Sequence, residues 1–274
     1  MRRLTPQLLL LIAAGALHGQ QINFKDPVLD QVVRKYLPDR DAKDPLTAAR
    51  LAPVILVSAG PGQTVHDLSG LEACTKLSFL YLADGQVTDL SPLAKLTNLE
   101  SITIHGAKIS DLTPLAGLTK LQFLDLQGSQ VSDLRPLANL KALTHLDLSD
   151  NKVTDLTPLS GLANLQELIL PGNQVADLTP LAGVKSLWLL NIKRNKVTDV
   201  SALKGLKDWR YLYLDQNQIK DLEPLVAATT PKPGPEAAIE PFRTLSLAGN
   251  PLSGDARTKE LPQLKKLVVN VMAN

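Results

Sequence analysis

One cysteine, Cys74, is all that the 274 residues contain. An internal disulfide is therefore excluded, and stability has to come from packing. Aromatic residues are scarce too, with four Phe, four Tyr and two Trp. No apolar run beyond the N-terminal segment approaches the roughly twenty residues that a membrane helix needs. Charge of one sign is not in excess, with 29 Lys and Arg against 27 Asp and Glu. Nucleic-acid binders usually carry a basic surplus, so no nucleic-acid partner is expected. The signatures of catalysis are missing as well. There is no nucleophile elbow, no Gly-rich phosphate loop and no paired-cysteine metal site. The expectation is a protein that is not an enzyme and holds no cofactor and no metal.

What is present begins with a leader. Residues 1–20 read as a cleaved signal peptide: Arg2 and Arg3 form a basic start, Leu8 to Leu17 an apolar core, and Ala14-Gly15-Ala16 a small-residue cleavage motif. Removing them takes away two Arg and no acid, leaving 27 charges of each sign. The expected location is secreted or periplasmic.

The rest of the chain repeats itself. At a shift of 22 residues, Leu80, Ile102, Leu124, Leu146, Leu168, Leu190 and Leu212 fall in register. So do Asp67, Asp89, Asp111, Asp133, Asp155, Asp177, Asp199 and Asp221, with Pro three residues behind most of them. The clearest copy is LTHLDLSDNKVTDLTPLSG, Leu143 to Gly161. A period of this length with L-x-x-L-x-L-x-x-N marks leucine-rich repeats. Each L-x-L is a short strand that cannot bury its own Leu, so neighbours stack and share a core. Identical connectivity makes the strands parallel. Asn151, Asn173, Asn195, Asn217 and Asn250 stand at the turn after the strand, where their amides can bond backbone. Few residues then remain, so short 3₁₀ turns rather than long helices are expected opposite the sheet. Stacked carboxylates in the Asp column suggest either a cation site or local turn caps, and one Asp in every repeat is what capping requires. The fold class is thus α/β, a curved right-handed solenoid with a parallel β-sheet on its concave face.

Solenoid ends need caps. Asp26-Pro27 opens a helix with Val28, Leu29, Val32, Val33, Tyr36 and Leu37 on one stripe, stopped by Pro38. A second short helix is expected near Thr47 to Ala52. The expected division is an N-terminal helical cap over 21–54, repeats over 55–250 and a C-terminal cap over 251–274. At the far end Leu264, Leu267 and Val269 imitate one more repeat. The step from Leu212 to Leu245 is 33 residues, and its excess contains TTPKPGPEAAIEP, a surface insertion over 229–241. Cys74 falls in an inward Leu column and reads as a buried small hydrophobe.

The block DLSGLEACTKLSFLYL, Asp67 to Leu82, and the D-L-x-P-L-x-x-L-x-x-L repeats behind a helical start resemble bacterial leucine-rich-repeat proteins of the internalin type. The resemblance covers roughly 22–270. It implies binding of other proteins on the concave sheet.

The residues themselves point the same way. With the Leu inward, Phe79, Phe123, His145, Leu189 and Tyr211 stand in one outward column, and Tyr81, Ile169 and Tyr213 in the next. Trp188 is placed outward beside Leu189. Six of the ten aromatic residues are therefore in outward strand positions, where folding does not need them. Exposed aromatic surface of this kind usually marks an interaction site. Phe79, Tyr81, Phe123, His145, Ile169, Trp188, Leu189, Tyr211 and Tyr213 are the candidate protein-binding residues, for a protein or peptide partner met by a monomer. Between two aromatic groups lie Asp125, Asp147, His105 and His145, a set that could also ligate a metal or run catalysis. A structural envelope scaffold is the third class, with contacts made by the solenoid ends or the Pro-rich insertion.

Overall fold

The computed structural model describes residues 21–38, 44–229, 243–268 and 270–273. The leader and residues 230–241 of the insertion lie outside these. The elements run in chain order as α1 (Pro27–Arg34), α2 (Ala48–Leu51), β1 (Leu56–Ala59), β2 (Phe79–Leu82), β3 (Ser101–Ile104), β4 (Phe123–Asp125), β5 (His145–Asp147), β6 (Glu167–Ile169), β7 (Leu189–Asn191), β8 (Tyr211–Tyr213), α3 (Glu223–Thr229), β9 (Thr244–Ser246), α4 (Leu261–Leu267) and β10 (Asn270–Met272). The ten strands of the described residues form one parallel sheet in sequence order. The register is the expected one, with Leu80 opposite Ile102, Leu124 opposite Leu146 and Leu190 opposite Leu212. Short 3₁₀ turns such as Ser91–Leu93, Thr113–Leu115 and Thr157–Leu159 return the chain to the next strand.

Each part of the repeat has a measurable reason. The Leu, Ile and Val of L-x-x-L-x-L are inward and fully buried from Leu77 through Leu247. Burying one such side chain contributes roughly 1.5–3 kcal/mol. The Asn after the strand is buried and bonds in both directions. Asn151 Oδ1 accepts from Val131 N–H at 2.8 Å, and its Nδ2 donates to Leu126 O at 3.0 Å. Asn173, Asn195, Asn217 and Asn250 repeat the pattern toward Val153, Val175, Val197 and Ile219. The residue before the Asn is left-handed. Glycine takes that place at Gly172 and Gly249, whereas Asp150, Arg194 and Gln216 adopt φ of 53–56° there. Gly172 has a further reason to lack a side chain. Asp150 and Arg194 form an ion pair of 2.8 Å that spans two repeats, and a Cβ on Gly172 would lie 2.1 Å from Asp150 Oδ1.

The Asp column caps turns. Asp67, Asp89, Asp111, Asp133, Asp155, Asp177, Asp199 and Asp221 each accept, at 2.7–2.9 Å, the backbone N–H two residues on. Bonds from the side chains and then the backbones of Thr113, Thr157 and Thr179 hold the carboxyls of Asp111, Asp155 and Asp177 below the usual range.

The ends are closed differently. Asp26 caps α1 by accepting from Val28 and Leu29 N–H through Oδ1, and reaches the first repeat by accepting from His66 N–H at 2.6 Å through Oδ2. Leu29, Val32 and Val33 of α1 join the repeat core. Residues 55–71, a degenerate copy in sequence, contribute β1 in full register with β2. Two expectations change. The seventh repeat turns back through α3 instead of a 3₁₀ turn. The last strand does not use Leu264 and Leu267. These lie on α4, where i, i+3 spacing with Leu261 suits a helix and buries Leu264 in the core. Val271 of β10 is the residue opposite Leu245, and Val269 lies outside the described residues.

Candidate functional site

The outward face of the sheet has three zones. At the N-terminal end, Phe79 and Tyr81 point out and are 43% and 40% exposed. Strand pairing sets Leu56 beside Phe79 and Ser58 beside Tyr81. Ile55 and Leu56 are exposed as well, so four of the five exposed large hydrophobic residues described adjoin one another here. Ile55 and Leu56 were not among the sequence-derived candidates. The irregular first repeat hid the column of Leu56, although LVSA aligns with FLYL once β1 is paired with β2, and Ile55 stands one place before that strand.

The central zone is polar and laced across strands. His105 Nε2 lies 2.7 Å from Asp125 Oδ2, and His145 Nδ1 lies 2.9 Å from Glu167 Oε2. Phe123 stacks flat on His145, ring centroids 4.0 Å apart and planes within 6°. Phe123 is thus tied to the centre, not to Phe79 and Tyr81, from which Ser101 and Thr103 separate it. Tyr81 also reaches the centre, meeting His105 edge-on with ring centroids 6.3 Å apart. Asp125 and Asp147 are lateral neighbours. Burial pushes the Asp147 carboxyl up. Bonds from the Ser149 hydroxyl and N–H pull the other way, and Asp125 adds to the rise. Among the described residues no three His, Cys, Asp or Glu side chains come together to hold a metal ion. Ile169 closes this zone beside Asp147.

The third zone is the second aromatic group, and its members do meet. Trp188 packs edge-on to Tyr211 at 6.0 Å, and Tyr211 lies nearly parallel to Tyr213 at 6.2 Å. Lys193 Nζ sits 4.8 Å from the Tyr213 ring centroid and 3.2 Å from Asp215 Oδ2. Leu189 adjoins Tyr211 across the β7–β8 pair. Trp188 stands just before β7, and beside it opens a groove of about 480 Å³ lined by Gln166, Lys185, Ser186, Trp188, Asp208 and Arg210. The other indole, Trp209, is wholly buried in the Leu column. Cys74 is also buried, and burial raises its thiol to about 12, so it is no nucleophile at neutral pH.

Comparison with known proteins agrees with this architecture. A family model described as "Leucine Rich repeats (2 copies)" matches residues 75–117, 119–161 and 141–183. The structure of internalin C2 from Listeria monocytogenes is similar over 93% of this chain and 98% of its own, at 27% identity and a TM-score of 0.66. A leucine-rich-repeat protein from Leptospira interrogans is similar in fold over 75% of this chain and 56% of its own, at 21% identity and a TM-score of 0.56. The ectodomain of the receptor kinase GASSHO1/SCHENGEN3 from Arabidopsis thaliana, solved in complex with CASPARIAN STRIP INTEGRITY FACTOR 2, shares the fold over 79% of this chain and 26% of its own, at 21% identity and a TM-score of 0.57. No curated protein matches. Among the described residues no helix is long and apolar enough to cross a membrane.

Proposed function

We propose that this leucine-rich-repeat protein, internalin-like in its repeats and fold, is an exported binding module, not an enzyme, that takes a protein or peptide on the outward face of its sheet. The observation that carries the reading is the zoned face itself. Large apolar and aromatic side chains stand outside the Leu core, at Phe79 and Tyr81 on one side and at Trp188, Tyr211 and Tyr213 on the other. Aromatic anchors with a polar surround are the usual make-up of a protein interface. His145, Phe123, Ile169 and Leu189 fill the space between. The Arabidopsis ectodomain, of similar fold, was solved with a partner bound, and the internalin likeness supports an exported module.

The test is the double variant Tyr211→Ala, Tyr213→Ala beside Leu212→Ala. The aromatic pair is expected to leave thermal unfolding nearly unchanged, whereas Leu212→Ala, in the core, costs about 2–5 kcal/mol. A partner captured by the native protein, identified and titrated as a pure component, is expected to bind the aromatic variant at least about thirtyfold more weakly, the equivalent of ~2 kcal/mol. A variant that folds and binds its partner at full strength removes the sheet face as the site.

A further inference from the structure

The groove beside Trp188 contains charges that the fold does not use. Three cations near the strand starts are tied to backbone carbonyls. Lys141 Nζ donates to Ala138 O at 2.8 Å and Gly161 O at 3.1 Å, Lys207 Nζ to Ala227 O at 2.8 Å, and Arg243 Nη2 to Lys207 O at 2.8 Å. Lys185 occupies the column of Lys141 and Lys207, and Arg210 that of Arg243, but the side chain of neither makes a hydrogen bond or ion pair among the described residues. Asp208 shares a column with Asn98, Asn164 and Ser186, which donate to the carbonyls of Thr75, Lys141 and Ala163. Lys76, Lys120 and Ala142 also stand in it and form no such bond among the described residues. A carboxylate has no proton to give, so Asp208 and the Lys185 carbonyl are both left as acceptors. Two free cations, two free acceptors and an indole thus line one opening of about 480 Å³, joined to the rest of the face through the Trp188–Tyr211 contact.

We propose that this groove is the part of the binding face that reads an acidic peptide segment, with carboxylate side chains between Lys185 and Arg210, backbone N–H groups on Asp208, and an apolar side chain against Trp188. This rests on the reading of the sheet face as a protein-binding surface and adds the chemistry of the partner. Arg and Trp are the side chains that contribute most at such contacts, Arg because its planar fork matches a carboxylate.

Two blocked hexapeptides provide the test, one alternating Glu and Leu and its counterpart with Gln for Glu. Titration of the isotope-labelled protein is followed through the two indole N–H resonances. The Glu peptide is expected to move the Trp188 signal and leave that of buried Trp209 in place, to bind at least about tenfold more tightly than the Gln peptide, and to weaken as salt screens the charges. The variant Lys185→Gln, Arg210→Gln, at two exposed positions, should fold normally and lose that preference. Equal binding of both peptides, equal binding by the variant, or an unmoved Trp188 signal at millimolar Glu peptide overturns the proposal. Failure here is separable from failure of the wider reading. A captured partner that still binds the Lys185/Arg210 variant but not the Tyr211/Tyr213 variant uses the face without an acidic segment.

Discussion

Asp147 shows at a single residue what the core repeat does not explain. Its column contains Tyr81, Thr103, Asp125, Ile169, Asn191 and Tyr213, so the fold accepts many side chains there. Yet this carboxylate is held where burial raises its pKa, with a second carboxylate on the next strand. A raised native pKa means that the unfolded state loses its proton first. The cost to folding is absent below the unfolded value of about 3.8, grows as pH rises through it, and levels off above the native pKa. Asp147→Asn keeps an oxygen for Ser149 and removes the charge. The variant is expected to be more stable than the native protein in urea at pH 7 and equal to it near pH 3. A less stable Asn variant at pH 7 contradicts this account. Stability gives no reason for an acid here, which suits a residue kept for contact with a partner.

Elements explain what was readable in the chain and what was not. The repeat, its register and the roles of Asp and Asn followed from the 22-residue period because each depends on neighbours at fixed spacing. The His145–Glu167 contact was within reach of the same columns, being one repeat apart. The His105–Asp125 contact is diagonal and 20 residues apart, so column alignment alone did not pair it. Ile55, Leu56 and the course of β10 were hidden for another reason: the end repeats depart from the period, and caps set their register. The uncommitted state of Lys185 and Arg210 depends on bonds that their equivalents make, which composition does not reveal. The Asn ladder allows a direct test of element physics. Ser129 stands where Asn151 does one repeat later, and its buried Oγ has no hydrogen-bond partner among the described residues. In Ser129→Asn the amide should accept from Ile109 N–H and donate to Ile104 O, as Asn151 does toward Val131 and Leu126. Ala107 on the preceding turn leaves room. The expected gain is about 1 kcal/mol, or a rise in Tm of roughly 2–4 °C. A loss of stability would show that the turn around Gly128 cannot take the longer side chain.

At the scale of the whole molecule, the ladder makes the solenoid uneven. Stability in a repeat array is close to a sum of nearest-neighbour terms, so a stretch with weaker coupling can open without the rest. Five turns contain a buried Asn that binds the repeat before it, from Asn151 to Asn250. Three turns before them contain Gly85, Ala107 and Ser129. The backbone N–H groups of Val131, Val153, Val175 and Val197 therefore donate to an amide oxygen, whereas those of Val87 and Ile109, equally buried, face Ala107 and Ser129. The N-terminal cap offsets part of this weakness, because Asp26 joins α1 to His66 and the α1 side chains share the core. That support reaches the first repeat and not the third. Native-state hydrogen exchange is the measurement. Val87 and Ile109 are expected to exchange faster than Val131, Val153, Val175 and Val197, and strands β2 to β4 faster than β6 to β8. Ser129→Asn should slow Ile109 specifically. Uniform protection, or slower exchange at β2 to β4, would mean that Leu stacking alone sets local stability and that the Asn amides contribute little. The ordering also bears on binding, since Phe79, Tyr81 and Phe123 stand on the strands expected to be looser, and Trp188, Tyr211 and Tyr213 on or beside those expected to be firmer. A partner that spans both would have to tighten the first set, so its binding should slow exchange at Val87 and Ile109 more than at Val175 and Val197.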